Sequence, residues 1–204
     1  KTAYRLPDDS KVEISGLKSS TNDNFYHGYA QSTNRSAGIR IEFYPSIPIG
    51  TEFTARGTLG TSIAWDYAGI KDGERVLYID QTSSVTSGDE PRPMFMKAKD
   101  LGNPGEEIST PSTVGALGLR TTGLLVKVAG KIRYNTAGDA FIDDGSGVMN
   151  DPQVPGIRIA LDELTSPITL PTEGVFTAVT GISGVATNGT NYYPVIRPRS
   201  PSDI

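Results

Sequence analysis

The sequence predicts an all-β protein built as two small closed barrels in tandem, and three observations carry the prediction. Short blocks repeat in the same order along the 204 residues. Within each block apolar and polar residues alternate, which is the period of a half-buried strand. Turn chemistry separates the blocks, in a chain with 23 Gly and 14 Pro and Asn or Asp beside many of the glycines.

The repeat is plainest at Gly38-Ile39-Arg40-Ile41, which recurs as Gly156-Ile157-Arg158-Ile159. Upstream, Val12-Glu13-Ile14-Ser15-Gly16 matches Val126-Lys127-Val128-Ala129-Gly130. Downstream, Phe53-Thr54-Ala55-Arg56-Gly57 matches Thr177-Ala178-Val179-Thr180-Gly181. The offsets are 114, 118 and 124, a drift of loop size, so an ordered duplication explains the set. It follows that Gly16 should lie over Gly130, Gly38 over Gly156 and Gly57 over Gly181, because one-residue slips would turn each strand inside out.

Taken in order, Thr2, Tyr4 and Leu6 alternate with Lys1, Ala3 and Arg5. This arm is expected to pair as a strand, and a five-stranded barrel has no need of it. It could add as an edge strand to its own barrel, or to a sheet edge of a second copy with Tyr4 and Leu6 as the subunit contacts. Strands follow at Val12–Gly16, Phe25–Ala30, Gly38–Ile41, Phe53–Gly57 and Val76–Ile79, with turns at Asn22-Asp23-Asn24 and Asp72-Gly73. Next, Met94, Ala98 and Leu101 are spaced i, i+4, i+7 between Pro91-Arg92-Pro93 and Gly102, which predicts one short helix,. The loop from Asn103 to Thr122 exceeds the ~12–15 residues usual without structure, so it is a linker or a packed arm. The second copy has strands at Leu125–Val128, Phe141-Ile142, Ile157–Ile159, Thr177–Gly181 and Tyr193–Ile196, with turns at Ala137-Gly138-Asp139 and Asn188-Gly189. The units are therefore 1–88, a connector at 89–122, and 123–204.

Copy two resembles a bacterial OB-fold domain of the kind found in large secreted and cell-surface proteins. The resemblance is carried by Gly123–Lys131, Phe141–Gly147, Gly156–Ile159 and Val179–Ile182. It covers nearly all of that copy. Copy one matches more loosely, and has Asn34-Arg35-Ser36-Ala37 where copy two has Asp143-Asp144-Gly145-Ser146-Gly147. The resemblance implies two tandem OB-like five-stranded Greek-key barrels, a fold that binds oligonucleotides, oligosaccharides or proteins.

Catalysis finds little in the residues. There is no cysteine, which removes thiolate nucleophiles and Cys-based metal sites, and the single histidine precludes a multi-His site in one chain,. His27 is expected as a packed or surface residue. Asp143 and Asp144 lack calcium-loop spacing and fit a turn. Neither a nucleophile elbow nor a phosphate loop occurs. No catalytic residue, cofactor or metal is expected.

A ligand-binding OB barrel would use its second and third strands, here Tyr26, Tyr29, Arg40 and Phe43 in copy one and Lys131, Arg133 and Arg158 in copy two. The net charge of −4, with 23 acids against 19 bases, argues against nucleic acid, whose affinity comes largely from phosphate neutralisation. No apolar run approaches the ~18 residues of a membrane helix. Opening at Lys1 fits a mature protein or a fragment. The expectation is a non-enzymatic structural or adhesive module of an extracellular bacterial surface assembly, self-associating into a homopolymer or joined to neighbouring surface domains. The alternative is a module for single-stranded nucleic acid or glycan.

Overall fold

The structure, a computed structural model, describes residues 2–21, 27–61, 74–103, 113, 120–161, 168–187 and 191–204. The first barrel consists of β1 (Lys11–Ser19), β2 (His27–Ser32), β3 (Gly38–Glu42), β4 (Glu52–Thr61) and β5 (Arg75–Thr86). They close in the order β1-β2-β3-β5-β4, with β3 and β5 parallel. After β6 (Met94–Phe95) come β7 (Leu125–Tyr134), β8 (Ala140–Asp143), β9 (Ile157–Ile159), β10 (Phe176–Thr187) and β11 (Tyr192–Arg197). These five close in the same order, with β9 parallel to β11 and β10 returning to β7. Both barrels therefore have the OB-like Greek-key topology.

The duplication is visible in the register. Val12 faces Gly57 as Val126 faces Gly181, and Ala30 faces Ile39 as Ile142 faces Ile157. Alternation buries one side of each strand. Leu17, Ile39, Ile41, Phe53 and Leu77 fill the first barrel, and Val126, Val128, Ile132, Ile157 and Ile196 fill the second. One glycine pair serves unlike ends. Gly16 sits at φ +68 in the β1 irregularity between Ile14 and Leu17, whereas Gly130 lies in a straight stretch of β7 opposite Thr177.

Two elements depart from the sequence reading. The arm does not extend as a strand: Thr2–Arg5 is a 3-10 turn. At about three residues per turn, Tyr4 points inward and is 3 % exposed, while Leu6 packs against the first barrel's core. The Arg120 guanidinium stacks 3.8 Å from the centre of the Tyr4 ring, and the Tyr4 hydroxyl donates to the Gly38 carbonyl. Buried Arg75 clamps the next residues, donating to the Leu6 carbonyl (2.6 Å) and to Asp8 (2.5 Å). These partners, all remote in sequence, outweigh the alternation. Tyr4→Phe is expected to lower stability by about 0.5–1.5 kcal/mol, the net worth of one hydrogen bond, as read by urea unfolding.

The spacing at Met94, Ala98 and Leu101 is not one helix but β6 followed by a 3-10 turn, Ala98–Asp100. Met94 and Phe95 pair with Val126 and Lys127, so strand pairing displaces the helix. The Asp144 carboxylate accepts the Ala98 N–H at 2.7 Å and holds the turn on the second barrel. Of the long connector, the described Asn103, Thr113 and Thr121 are buried and joined by backbone bonds (Thr113 to Asn103, 3.0 Å; Thr121 to Gly102, 3.1 Å). This part of it is packed. The predicted turns at 22–24, 72–73 and 188–189 lie outside the described residues, as do residues 104–112 and 114–119 of the connector. Among the described residues no helix is long and apolar enough to cross a membrane.

Candidate functional site

In the first barrel, alternation sends Ala30, Ile39 and Ile41 inward and Tyr29, Gln31 and Arg40 outward on β2 and β3, where Tyr29 and Arg40 are register partners,. This is the face on which an OB barrel receives a ligand. Here the second barrel occupies it. Leu125 and Ile182 pack on the Tyr29 ring, and the Leu125 N–H donates to Gln31 Oε1 at 2.9 Å. Tyr29 and Arg40 are 6 % and 3 % exposed. Their burial withdraws them from any strand 2–3 ligand.

At the centre of the junction is Glu74, 1 % exposed. One carboxylate oxygen accepts the Tyr29 hydroxyl at 2.6 Å. The other accepts the Val185 N–H at 2.7 Å and Arg197 Nη2 at 3.2 Å. Burial alone would raise its pKa. The Arg197 and Arg40 charges, with the Tyr29 and Val185 hydrogen bonds, outweigh burial and hold it below the ordinary carboxylate value,. Arg197 also donates to the Val185 carbonyl at 2.9 Å. The backbones meet beside this cluster, where a Cβ on Gly38 would lie 2.1 Å from the Gly123 carbonyl carbon. A second tie lies at Arg199, which donates to the Ser20 carbonyl (3.2 Å) and Glu90 (2.5 Å) of the first half and to Asp203 (2.9 Å).

The same face of the second barrel carries Phe141 opposite Arg158. It is covered differently. The loop between β8 and β9 is longer than its counterpart between β2 and β3. It crosses the outer side of the sheet: Asp151 meets Asn135 at 3.2 Å beside the β7–β8 turn, and Asn150 donates to the Pro194 carbonyl on β11. Phe141 is 2 % exposed and Val154 in the loop 8 %. Asp143 and Asp144 make the turns into this loop, accepting the Gly145 and Ser146 N–H groups at 3.0 Å each.

The remaining predicted residues do not converge. Arg158 pairs with Asp139 at 3.5 Å on the rim of a cavity of about 370 Å³ that Tyr134, Leu161 and Leu170 also line. Arg133 pairs with Asp143 at 3.4 Å. Lys131 is exposed on the same outward face of β7, two residues from Arg133,. Phe43 packs against the first core, and Tyr26 lies outside the described residues. His27 faces Glu42 across the β2–β3 pair at 3.3 Å. Among the described residues no three His, Cys, Asp or Glu side chains gather as a metal site. Glu74 and Arg197 escaped the sequence reading because each reads as an ordinary charge at a strand end. A scan of protein-family models, a search of curated proteins and a search of solved structures each returned no match.

Proposed function

We propose that the chain is a non-enzymatic structural and adhesive module of an extracellular bacterial surface assembly, with its two barrels acting as one rigid body. The observation that carries the reading is the burial of Tyr29 and Arg40, on the first barrel's strand 2–3 face, by the second barrel, with Phe141 on the matching face of the second barrel buried beside its own loop. A barrel that has given its ligand face to packing serves as a building block. Self-association into a homopolymer has a candidate edge. β5 outruns β3, and among the described residues its Asp80–Thr86 half is paired with β4 alone, leaving backbone groups for strand addition.

Sedimentation velocity and negative-stain microscopy over a range of concentrations test the proposal. Concentration-dependent polymers that a proline at Thr82 shortens would support it. A species that stays monomeric throughout and coats no cell surface would overturn it. The same preparation should bind oligo-dT more weakly than micromolar at physiological salt, because the covered faces and dispersed bases leave few counterions to release.

A further inference from the structure

The outer face of β7 and β10 runs on beyond the junction, and its character changes. Register sets four pairs along it: Leu125 with Ile182, Lys127 with Thr180, Ala129 with Ala178, and Lys131 with Phe176. The first barrel covers only the Leu125–Ile182 end. Beside Lys127, β6 adds Phe95. Phe95 is 72 % exposed and Phe176 69 %, which for phenylalanine in a chain with two well-filled cores marks a surface built for contact.

We infer that this face binds an anionic polysaccharide, with Phe95 and Phe176 as plates for sugar rings and Lys127 and Lys131 as the partners of its carboxylates. Between the two phenylalanines the register sets the small side chains Ala129 and Ala178, so a flat polymer can lie across the face. Among the described residues neither lysine has an ion-pair partner, whereas Lys11, Lys18, Arg56 and Arg133 all do. The lysines are four residues apart on one strand, roughly 13 Å at ~3.3 Å per residue. Lys97 and Lys99 follow Phe95 and add positive charge; the nearby acids include Asp143, opposite Lys131 and engaged by Arg133, Asp144, engaged by the Ala98 N–H, and Asp100 in the same turn. A protein partner fits less well, because interface centres are depleted in lysine and here the lysines sit between the rings. Single-stranded nucleic acid, which also carries one charge per repeat, is the competing polyanion that the oligo-dT arm of the test separates. A polyuronate offers an apolar C–H face on each ring for the phenylalanines and one carboxylate per ring for the lysines. The site lies away from the usual OB face.

The inference deepens the adhesive part of the function proposed above. The test is affinity electrophoresis of the full chain in gels holding polygalacturonate, dextran or oligo-dT, with self-association followed separately by sedimentation. Polygalacturonate should retard the protein and dextran should not. Phe95→Ala and Phe176→Ala should each weaken retardation at least about fivefold, as loss of a stacking platform does, and K127Q/K131Q should abolish it. Phe95, Phe176 and Lys131 are exposed and Lys127 is half-buried, so melting curves recorded alongside should coincide with wild type and separate loss of binding from loss of folding. Undiminished retardation of a Phe95/Phe176 double variant would overturn the inference, as would stronger retardation by oligo-dT or by dextran. Polyuronate binding by a protein that forms no polymer would defeat the assembly reading alone. Polymers without polyuronate binding would defeat this inference alone.

Discussion

Glu74→Ala should destabilise the protein by about 3–5 kcal/mol, the usual consequence of removing one partner from a buried ion pair. The loss is large because every group that Glu74 satisfies is itself buried. Arg197, 3.2 Å from the carboxylate, is 8 % exposed and Arg40 is 3 % exposed. Without Glu74 both guanidinium groups would keep their charge in a place closed to water. The Tyr29 hydroxyl and the Val185 N–H would also lose their acceptor, at about 1–3 kcal/mol for each buried orphan if nothing else reaches it. Glu74→Gln separates the two contributions. It retains a carbonyl for one hydrogen bond but not the charge, so its deficit should fall between wild type and Ala in chemical unfolding. The pH dependence has a definite sign. A carboxylate whose folded pKa is lowered stabilises the fold above its unfolded value, near 4.5, and that stabilisation is lost as pH falls through the lower folded value. Wild type should therefore lose stability below about pH 4.5 more steeply than Glu74→Gln.

Gly38→Ala should disrupt the junction while leaving the first barrel's strands paired. The added Cβ would meet the Gly123 carbonyl carbon at 2.1 Å and the Leu124 nitrogen at 2.6 Å. Both obstacles are backbone, so no side chain can swing away and the barrels must part. A destabilisation of about 1–3 kcal/mol, typical of overpacking, should accompany a larger radius of gyration in solution scattering. Gly156→Ala is the instructive comparison. Gly156 holds the same place in the second copy, but its φ is +117 and its Cβ would meet Ile142 of the same barrel at 2.5 Å. Its effect should be local, with no change in the distance between barrels. An unchanged radius for Gly38→Ala would show that the glycine contact does not set the junction.

These two glycines mark the boundary of what the sequence makes legible. The repeat and the alternation at Ile39/Ile41 and Ile157/Ile159 were enough to place these strands and the side each buries, while the Greek-key topology came with the OB resemblance. Patterning cannot say what covers an outward face. Tyr29 and Arg40 read as exposed candidates because the neighbour that buries them begins some ninety-five residues later, at Leu125. Tyr4 misled for a related reason. Its alternation with Ala3 and Arg5 is real, but Arg120 and Gly38, both remote in sequence, fold the segment into a turn. The aromatic–lysine face was half visible, since Lys131 was singled out. Phe95 joined it only through the pairing of β6 with β7, which a helical spacing concealed.

The junction also has a temporal meaning. Translation delivers the first barrel complete through β5 before any of β7 to β11 exists, and domains generally fold as they emerge. At that stage Glu74 has Tyr29 but neither Val185 nor Arg197, whose bonds to it span 111 and 123 residues. The nascent first barrel is thus left with a carboxylate and an apolar tyrosine ring facing water on the side that will later be closed. Its own strands can pair, but its full stability waits for β11. A ribosome-bound chain stalled before β10 should accordingly be cleaved by protease far faster than the finished protein. The finished chain should melt in one transition, because neither barrel can open without exposing the charges that the other neutralises.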